Sequence, residues 1–167
     1  RRRRDVLANL ITDVDDSWTF YSHLHEEAPD DRGVQKSLST LAGERKDANS
    51  RVHFLGLLSD SASEPLEAAA YQRDAADTLI AEENFELAKE AYYRALGFAS
   101  DESVTLVSLK DLSERVADWP TVVDVLRRQV GLSAGDARVE LQREAADIIE
   151  VNIGDGPGGI AAWQELL

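Results

Sequence analysis

The amino-acid sequence predicts an all-α chain in which antiparallel helix pairs stack as an α-solenoid. Three observations lead to this prediction. Apolar residues recur at the i, i+3, i+4, i+7 spacing of helices that bury one face. No segment alternates apolar and polar residues in the way a half-buried strand does. A pattern also returns about every 35 residues, which is typical of stacked repeat proteins.

Ten helices are predicted in chain order, and the four prolines fall between them or in a first turn, where a missing amide hydrogen costs little. The predicted helices are Arg4–Val14, 15–28, Val34–Asp47, Asn49–Ser59, Leu66–Glu83, Phe85–Ala99, Val104–Ala117, Trp119–Val130, Ser133–Asn152 and Gly159–Leu167. Ser133 to Asp136 resembles a capping box at the start of the ninth helix. Gly154 to Gly158 is predicted as the turn before the tenth.

The repeat is clearest around residues 71–96. Gln72–Asp77, with the sequence QRDAAD, returns as QREAAD at Gln142–Asp147, an offset of 70. Ala91-Tyr92 returns as Ala162-Trp163, an offset of 71. Placing Phe85 opposite Trp119, an offset of 34, identifies a further unit between these two. The offsets indicate consecutive units of about 35 residues, each made of two helices.

These units resemble tetratricopeptide repeats (TPRs), which are about 34 residues long. In the best unit, Ala75 and Ala76 stand at the small crossing position of the first helix and Leu79 at its large apolar position. Ala88, Tyr92 and Ala95 match the alanine, aromatic and alanine of the second helix. The resemblance implies a right-handed solenoid of about five TPR-like hairpins, the last of them truncated.

Other parts of the chain match the repeat less well. Lys110 stands where a small residue is expected, which suggests that the alignment is shifted by one residue there. Two degenerate units are suggested by aromatic groups that precede the best unit at offsets of about 67 and about 34. These groups are Trp18 with Tyr21 and Leu24, and Phe54 with Leu57 and Leu58. We expect residues 1–167 to be one solenoid segment, degenerate over 1–65 and TPR-like over 66–167.

Composition limits the kinds of partner. The 167 residues carry a formal net charge of −14 and include neither Cys nor Met. The negative charge repels nucleic-acid phosphates and anionic lipid, and no apolar run reaches the roughly 18 residues needed to cross a membrane. We therefore expect no nucleic-acid partner, no membrane insertion and a cytoplasmic location. The start at Arg1 suggests a segment cut from a larger protein.

Three patterns with chemical meaning are better explained by helix structure. Gly154–Gly159 satisfies the G-x-G-x-x-G nucleotide fingerprint, but it follows a predicted helix instead of a strand. Asp13–Ser17 is similar to the start of a calcium loop, but Leu24 stands where a bidentate carboxylate is required, so helix capping explains it better. His23 and His25 point to opposite sides of a helix. We expect no catalytic, cofactor or metal site.

The resemblance also implies where a partner would bind. In TPRs the first helix of each pair lines the concave groove, and residues beside the small crossing pair face it. The candidates on this basis are Arg73, Asp77, Asp111, Glu114, Arg115, Arg143, Asp147 and Glu150. Arg73–Asp77 and Arg143–Asp147 are also i, i+4 pairs, so stabilisation of the helix surface is the alternative explanation.

The implied function is a non-catalytic scaffold in a larger, bacterial protein, which binds a peptide, a helix or a folded subunit through the groove or an edge. The sequence leaves two alternatives open. One is a helical regulatory or substrate-positioning domain of a larger enzyme. The other is a structural element that self-associates through its exposed apolar ends.

Overall fold

The structure of the chain, a computed structural model, describes residues 13–164. Within this range it contains nine α-helices and no strand, which confirms the predicted all-α fold. The helices are α1 (Val14–Glu27), α2 (Arg32–Glu44), α3 (Ala48–Asp60), α4 (Pro65–Ala81), α5 (Phe85–Phe98), α6 (Ser103–Arg115), α7 (Trp119–Leu132), α8 (Gly135–Ile148) and α9 (Gly156–Gln164). The predicted helix over 4–14 lies outside the described residues, except for Asp13, which precedes α1 as its N-cap, and Val14, which begins α1.

The helices form two compact units, one up to Phe98 and one from Ala99 onwards. In the first unit each helix packs against the next, from α1 to α5, and the second unit repeats this order from α6 to α9. Most connections are only two to four residues long, so successive helices run antiparallel. Within each unit this is the helix-pair arrangement of an α-solenoid.

One kind of turn closes the pairs α2/α3, α4/α5 and α6/α7. Its first key residue is in the left-handed conformation, with φ of 57° at Lys46, 58° at Glu83 and 57° at Ala117. The next residue donates its N–H to a carbonyl five residues back, at 2.9 Å from Asp47 to Ala42, 2.9 Å from Asn84 to Leu79 and 2.8 Å from Asp118 to Ser113. This is the Schellman motif, which satisfies the last carbonyls of the first helix as the chain reverses.

The turns show which residues are equivalent between repeats. The offset between Glu83 and Ala117 is 34, so the sequence alignment of this pair is correct, and Lys110 does occupy a small-residue position. The offset between Lys46 and Glu83 is 37, because α4 has 17 residues where α6 has 13. The offset of about 34 for the Phe54 region is therefore wrong, and Leu55 is the residue opposite Tyr92.

The last connection contains one extra residue. After α8 the helix widens into a π-helical segment, Ile149–Ile153, and Asp155 donates its N–H to a carbonyl six residues back, that of Ile149, at 3.2 Å. A π-bulge is the usual way in which a helix accommodates a single inserted residue. This insertion accounts for the change of offset from 70 to 71 in the sequence repeat.

Two predicted boundaries are wrong. Residues 156–158 belong to the first turn of α9, since Asp155 accepts the N–H of Gly158 at 3.1 Å and begins the helix earlier than predicted. Ser133 does not begin a capping box, because α7 extends to Leu132 and the N–H of Ser133 caps that helix by donating to Val130 at 3.3 Å. Ala134 is then the residue that precedes α8, and its side chain cannot cap.

Small side chains let the helices of the best repeat pack closely. Ala76, Ala88 and Ala95 are completely buried between α4 and α5. Tyr92 is buried beside them, and its hydroxyl donates to Asp77 at 2.9 Å. Helices approach to about 8 Å only where the residues at the crossing are small. The first-unit core also includes Val34, Leu38 and Phe54, and the second-unit core includes Val122, Val123, Leu126, Ala145, Ile148 and Ile149.

We expect Ala117→Gly to stabilise the second unit by about 0.5–1 kcal/mol, because glycine occupies the left-handed region without the steric cost that a Cβ imposes. The free energy of unfolding from urea denaturation followed by circular dichroism measures the effect. The reciprocal control is Gly154→Ala, because Gly154 has φ of 75° and its added Cβ would meet no atom within 4 Å. A change of the same sign in both variants would contradict this explanation.

Candidate protein-interaction surfaces

An open cleft of about 520 Å³ lies between α6 and α8 in the second unit. Both are the first helices of their pairs, and the two pairs follow each other in the chain. The exposed faces of α6 and α8 therefore lie side by side. The cleft is lined by Glu114, Trp119, Glu140, Arg143, Glu144, Asp147 and Ile148. It is therefore an acidic surface with a partly buried indole ring in its wall.

Lys110 connects the two helices that line this cleft. Its ammonium group is 2.9 Å from Glu114 on the same helix and 2.7 Å from Glu144 on α8. Burial alone would lower the pKa of Lys110, but the hydrogen bonds to Glu144 and Glu114 outweigh it and raise the pKa. The long side chain of Lys110, at a small-residue position, therefore ends with its ammonium group between two carboxylates.

Three of the predicted groove residues line this cleft, namely Glu114, Arg143 and Asp147. The predicted i, i+4 pair between Arg143 and Asp147 is not formed, and Arg143 instead contacts Glu140 at 3.4 Å. The reason is geometrical, since side chains on an α-helix lean towards its N-terminus and Glu140 lies one turn in that direction. The carboxylate of Asp147 remains exposed in the cleft.

The other predicted residues are distributed over both units. Asp111 and Arg115 are exposed on α6, and Glu150 is exposed in the π-helical segment, but none of them lines the α6/α8 cleft. Arg73 and Asp77 lie on α4 in the first unit, where Arg73 is half-buried and Asp77 is exposed. The hydrogen bond from Tyr92 gives Asp77 a structural role in addition to any role in binding.

The first unit has a corresponding cleft between α2 and α4, with a volume of about 410 Å³. Its wall includes Asp77, Asp74 and, from the second helix of the pair, Arg51. Burial, followed by the neighbouring charge of Asp77, raises the pKa of Asp74, while Arg51 and Arg73 act to lower it. The sequence does not indicate Asp74 or Arg51 as groove residues, because neither stands at a position that faces the groove in the repeat pattern.

The patterns that had been assigned to helix structure have that role in the structure. Asp13 caps α1 by accepting the N–H groups of Asp15 and Asp16 at 2.8 and 3.1 Å. Asp155 takes the same position at α9, within the glycine-rich stretch. In residues 13–164 no three His, Cys, Asp or Glu side chains converge as metal ligands. No helix in that range is both long and apolar enough to span a bilayer.

The fold is similar to solved structures of repeat proteins. Two crystal structures of MamA each match with a TM-score of 0.55 and 10% identity. Each match covers 92% of this chain, and the matches cover 81% and 86% of the two MamA chains. Nearly identical TPR-like repeats described as a kinesin light chain, from Podosopora anserina, match with a TM-score of 0.52 and 13% identity, over 99% of this chain and 92% of theirs. No protein-family profile and no curated protein matches the sequence.

The geometry and these similarities define the class of protein. The helix pairs, their Schellman turns and their small crossing residues form a TPR-type repeat fold, as the sequence predicted. At 10–13% identity the similarity concerns the fold.

We expect the stabilisation that Lys110 provides to be constant at neutral pH and to disappear in alkali. Because the folded pKa lies above the ordinary value of 10.5, the contribution is complete below that value and is lost as pH rises through the raised pKa. We expect Lys110→Gln to cost about 1 kcal/mol at pH 7, since both partner carboxylates are partly exposed. The difference in unfolding free energy between wild type and variant, measured from pH 7 to 11.5, tests this. A difference independent of pH would contradict it.

Proposed function

We propose that this chain is a non-catalytic scaffold that binds a protein partner through the exposed faces of its first helices. The partner is a peptide, a helix or a folded subunit laid along the groove or an edge. The observation that carries the proposal is the α6/α8 cleft, where the exposed Arg143 and Asp147 and the partly buried Trp119 line the space between the first helices of consecutive pairs. The charge of −14 favours a protein partner over nucleic acid, and we place the chain in the cytoplasm.

The charged residues of this face are the proposed contacts. They are Arg73 and Asp77 in the first unit, and Asp111, Glu114, Arg115, Arg143, Asp147 and Glu150 in the second. We propose that both units belong to one array, because the repeat offset of 34 between Glu83 and Ala117 continues across the boundary at Phe98. Exposed charges contribute mainly to association rate and specificity, so their effect on binding depends on ionic strength.

We expect reversal of charge on this face to abolish partner capture. Asp111→Lys with Asp147→Lys changes two exposed carboxylates on α6 and α8. The matched control, Glu90→Lys with Asp124→Lys, makes the same change in net charge on the second helices α5 and α7, where both residues are also exposed. Quantitative pull-down with the whole chain, followed by titration of the captured protein, measures the loss.

We expect the α6/α8 variant to weaken binding at least about tenfold, which corresponds to one or two charge-assisted contacts. The control variant retains binding. Equal losses in both variants would attribute the effect to net charge, and unchanged binding in the α6/α8 variant would exclude this surface.

Self-association is a second candidate function, and exposed apolar residues near the end of the second unit favour it. Val151 in the π-helical segment is 76% exposed and Ile160 on α9 is 61% exposed. Large apolar side chains exposed to this degree often belong to an interaction surface. We expect sedimentation velocity to show a concentration-dependent increase in mass that Val151→Ser with Ile160→Ser removes. A monomer at all concentrations would contradict self-association.

A further inference from the structure

The solvent-exposed face of α5 carries a pattern that the packing of the first unit does not use. Four exposed residues follow one another after three, four and three positions, and they are Leu87, Glu90, Arg94 and Gly97. We call these four residues the α5 stripe. Residues with this spacing form a narrow line along a helix, through which two helices pair in a coiled coil. Tyr92 lies on the opposite side of α5 and is buried in the first unit.

The fold itself does not require a glycine at position 97. Gly97 has no positive φ, and a Cβ added to it would meet no atom within 4 Å. Neither the backbone conformation nor a close neighbour therefore explains this residue, although glycine inside a helix is less stable than alanine. Glycine leaves bare backbone at this position, which a second molecule can approach closely.

The charged pair of the α5 stripe is also unused within the chain. Glu90 and Arg94 stand four residues apart, in the order that favours an ion pair on one helix. Neither of them makes a hydrogen bond or an ion pair with any residue from 13 to 164. Both charges are therefore available to a second molecule.

Large apolar side chains complete this face. Leu87 is 45% exposed, and two further exposed residues flank the stripe, Tyr93 at 45% and Phe98 at 41%. Several such side chains on one helix face are typical of an interaction surface. None of them lines the α2/α4 cleft or the α6/α8 cleft, so this face is separate from the groove.

The α5 stripe is complementary to itself. When two copies of α5 lie antiparallel, a two-fold axis level with position 92 places Glu90 opposite Arg94 of the second copy. The same axis places Leu87 opposite Gly97 of the second copy, where the missing side chain leaves room for it. Every layer of this pairing joins two opposite charges, or a large residue and a small one. The pattern therefore fits a second copy of this chain.

We propose that the chain forms an antiparallel dimer through the α5 stripe. Leu87 of each copy fills the space beside Gly97 of the other, and two Glu90–Arg94 pairs form around the axis. The contact uses the same surface on both copies, so it closes at two chains. One pair of helices buries less area than a stable dimer does, so we expect a dissociation constant of roughly 0.1–1 mM. The dimer goes beyond the proposed function, because the stripe belongs neither to the clefts nor to the exposed end of the second unit.

The second helix of the next pair, α7, repeats part of this pattern at the offset of 34. Three of its exposed residues correspond to the last three of the α5 stripe, namely Asp124, Arg128 and Gly131. Thr121, which is half-buried, stands where α5 has Leu87. Because α7 lacks the apolar side chain that fills the space beside the glycine, the α5 stripe is the complete one.

The test exchanges charges between two variants of the whole chain. Glu90→Arg leaves only arginine at the two charged positions and Arg94→Glu leaves only glutamate, so each variant repels its own copy. In a mixture the two variants present opposite charges at both positions. ¹⁵N-labelled Glu90→Arg is titrated with unlabelled Arg94→Glu up to about 1 mM, and the backbone amide resonances of Leu87 and Gly97 are followed.

We expect the mixture to shift these resonances saturably, with an affinity at least about tenfold higher than that of either variant for itself. Formation of the mixed dimer also shows that both variants are folded. The control titrant combines Glu90→Arg with Arg127→Glu and Arg138→Glu, exposed residues that give it the net charge of Arg94→Glu, and it causes no shift. An equal shift with this control, or no shift in the mixture, would overturn the dimer.

The apolar layers are tested in the otherwise unchanged chain. We expect Leu87→Ser to weaken the dimer at least about tenfold, because it removes the apolar side chain from both layers at Gly97. The matched control is Leu132→Ser on α7, which is 50% exposed against 45% for Leu87 and leaves the dimer unchanged. Dilution of the labelled chain, followed by the Gly97 resonance, measures both variants. An equal loss in the two would contradict pairing through α5.

The dimer and the scaffold function fail separately. Glu90→Lys with Asp124→Lys, which retains partner capture, places two like charges in the α5 stripe and loses the dimer. If the mixed variants do not dimerise while Asp111→Lys with Asp147→Lys abolishes capture, the dimer is excluded and the scaffold function stands. The reverse result excludes the scaffold surface and supports the dimer. Association through the end of the second unit is measured at about 10 µM, where the weaker α5 dimer is hardly populated.

Discussion

The closure of each helix pair by a left-handed residue and a backbone hydrogen bond is the constraint on which the rest of the structure depends. The N–H groups of Asp47, Asn84 and Asp118 each reach a carbonyl five residues back, which reverses the chain within three residues. Only this tight reversal brings the small residues of the two helices opposite each other. The burial of Ala76 and Ala88, and the exposure of the first-helix faces that line the clefts, both follow from it.

The two departures from the regular repeat show how the fold accommodates irregular sequence. The π-helical segment accommodates the residue inserted after α8, so that Asp155 still caps the next helix. Gly43 on the facing helix leaves room for the arginine at a crossing position. In both cases the helix pair is kept: the insertion leaves Val151 exposed, and the half-buried arginine places its guanidinium group against Gly43. Irregular positions are therefore where the side chains at the helix crossings and connections differ from those of a regular repeat.

The negative charge is organised differently in the two units. In the α6/α8 cleft Lys110 neutralises part of the charge of Glu114 and Glu144, leaving Asp147 exposed beside Trp119. Between α2 and α4, Arg51 and Asp74 line the same cavities, and the charge of Arg51 acts to lower the pKa of Asp74. The first arrangement stabilises neighbouring helices, since an ammonium group held between two carboxylates joins α6 to α8. In the second arrangement Arg51 and Asp74 form no ion pair, so no such link joins α2 to α4 there.

The sequence by itself determined the all-α fold, the repeat length and most helix positions, because the apolar spacing and the alanines at 75, 76, 88 and 95 are local patterns that specify helices and their crossings. Three of the predicted groove residues, Glu114, Arg143 and Asp147, line one cleft, and their role in binding stays a prediction. Only the tertiary structure revealed the pairing of Lys110 with Glu144, the register that places Arg51 opposite Ala88, and the gap at Gly43 that admits its side chain. These features depend on contacts between residues far apart in sequence, and a periodic pattern carries no information about which of them meet.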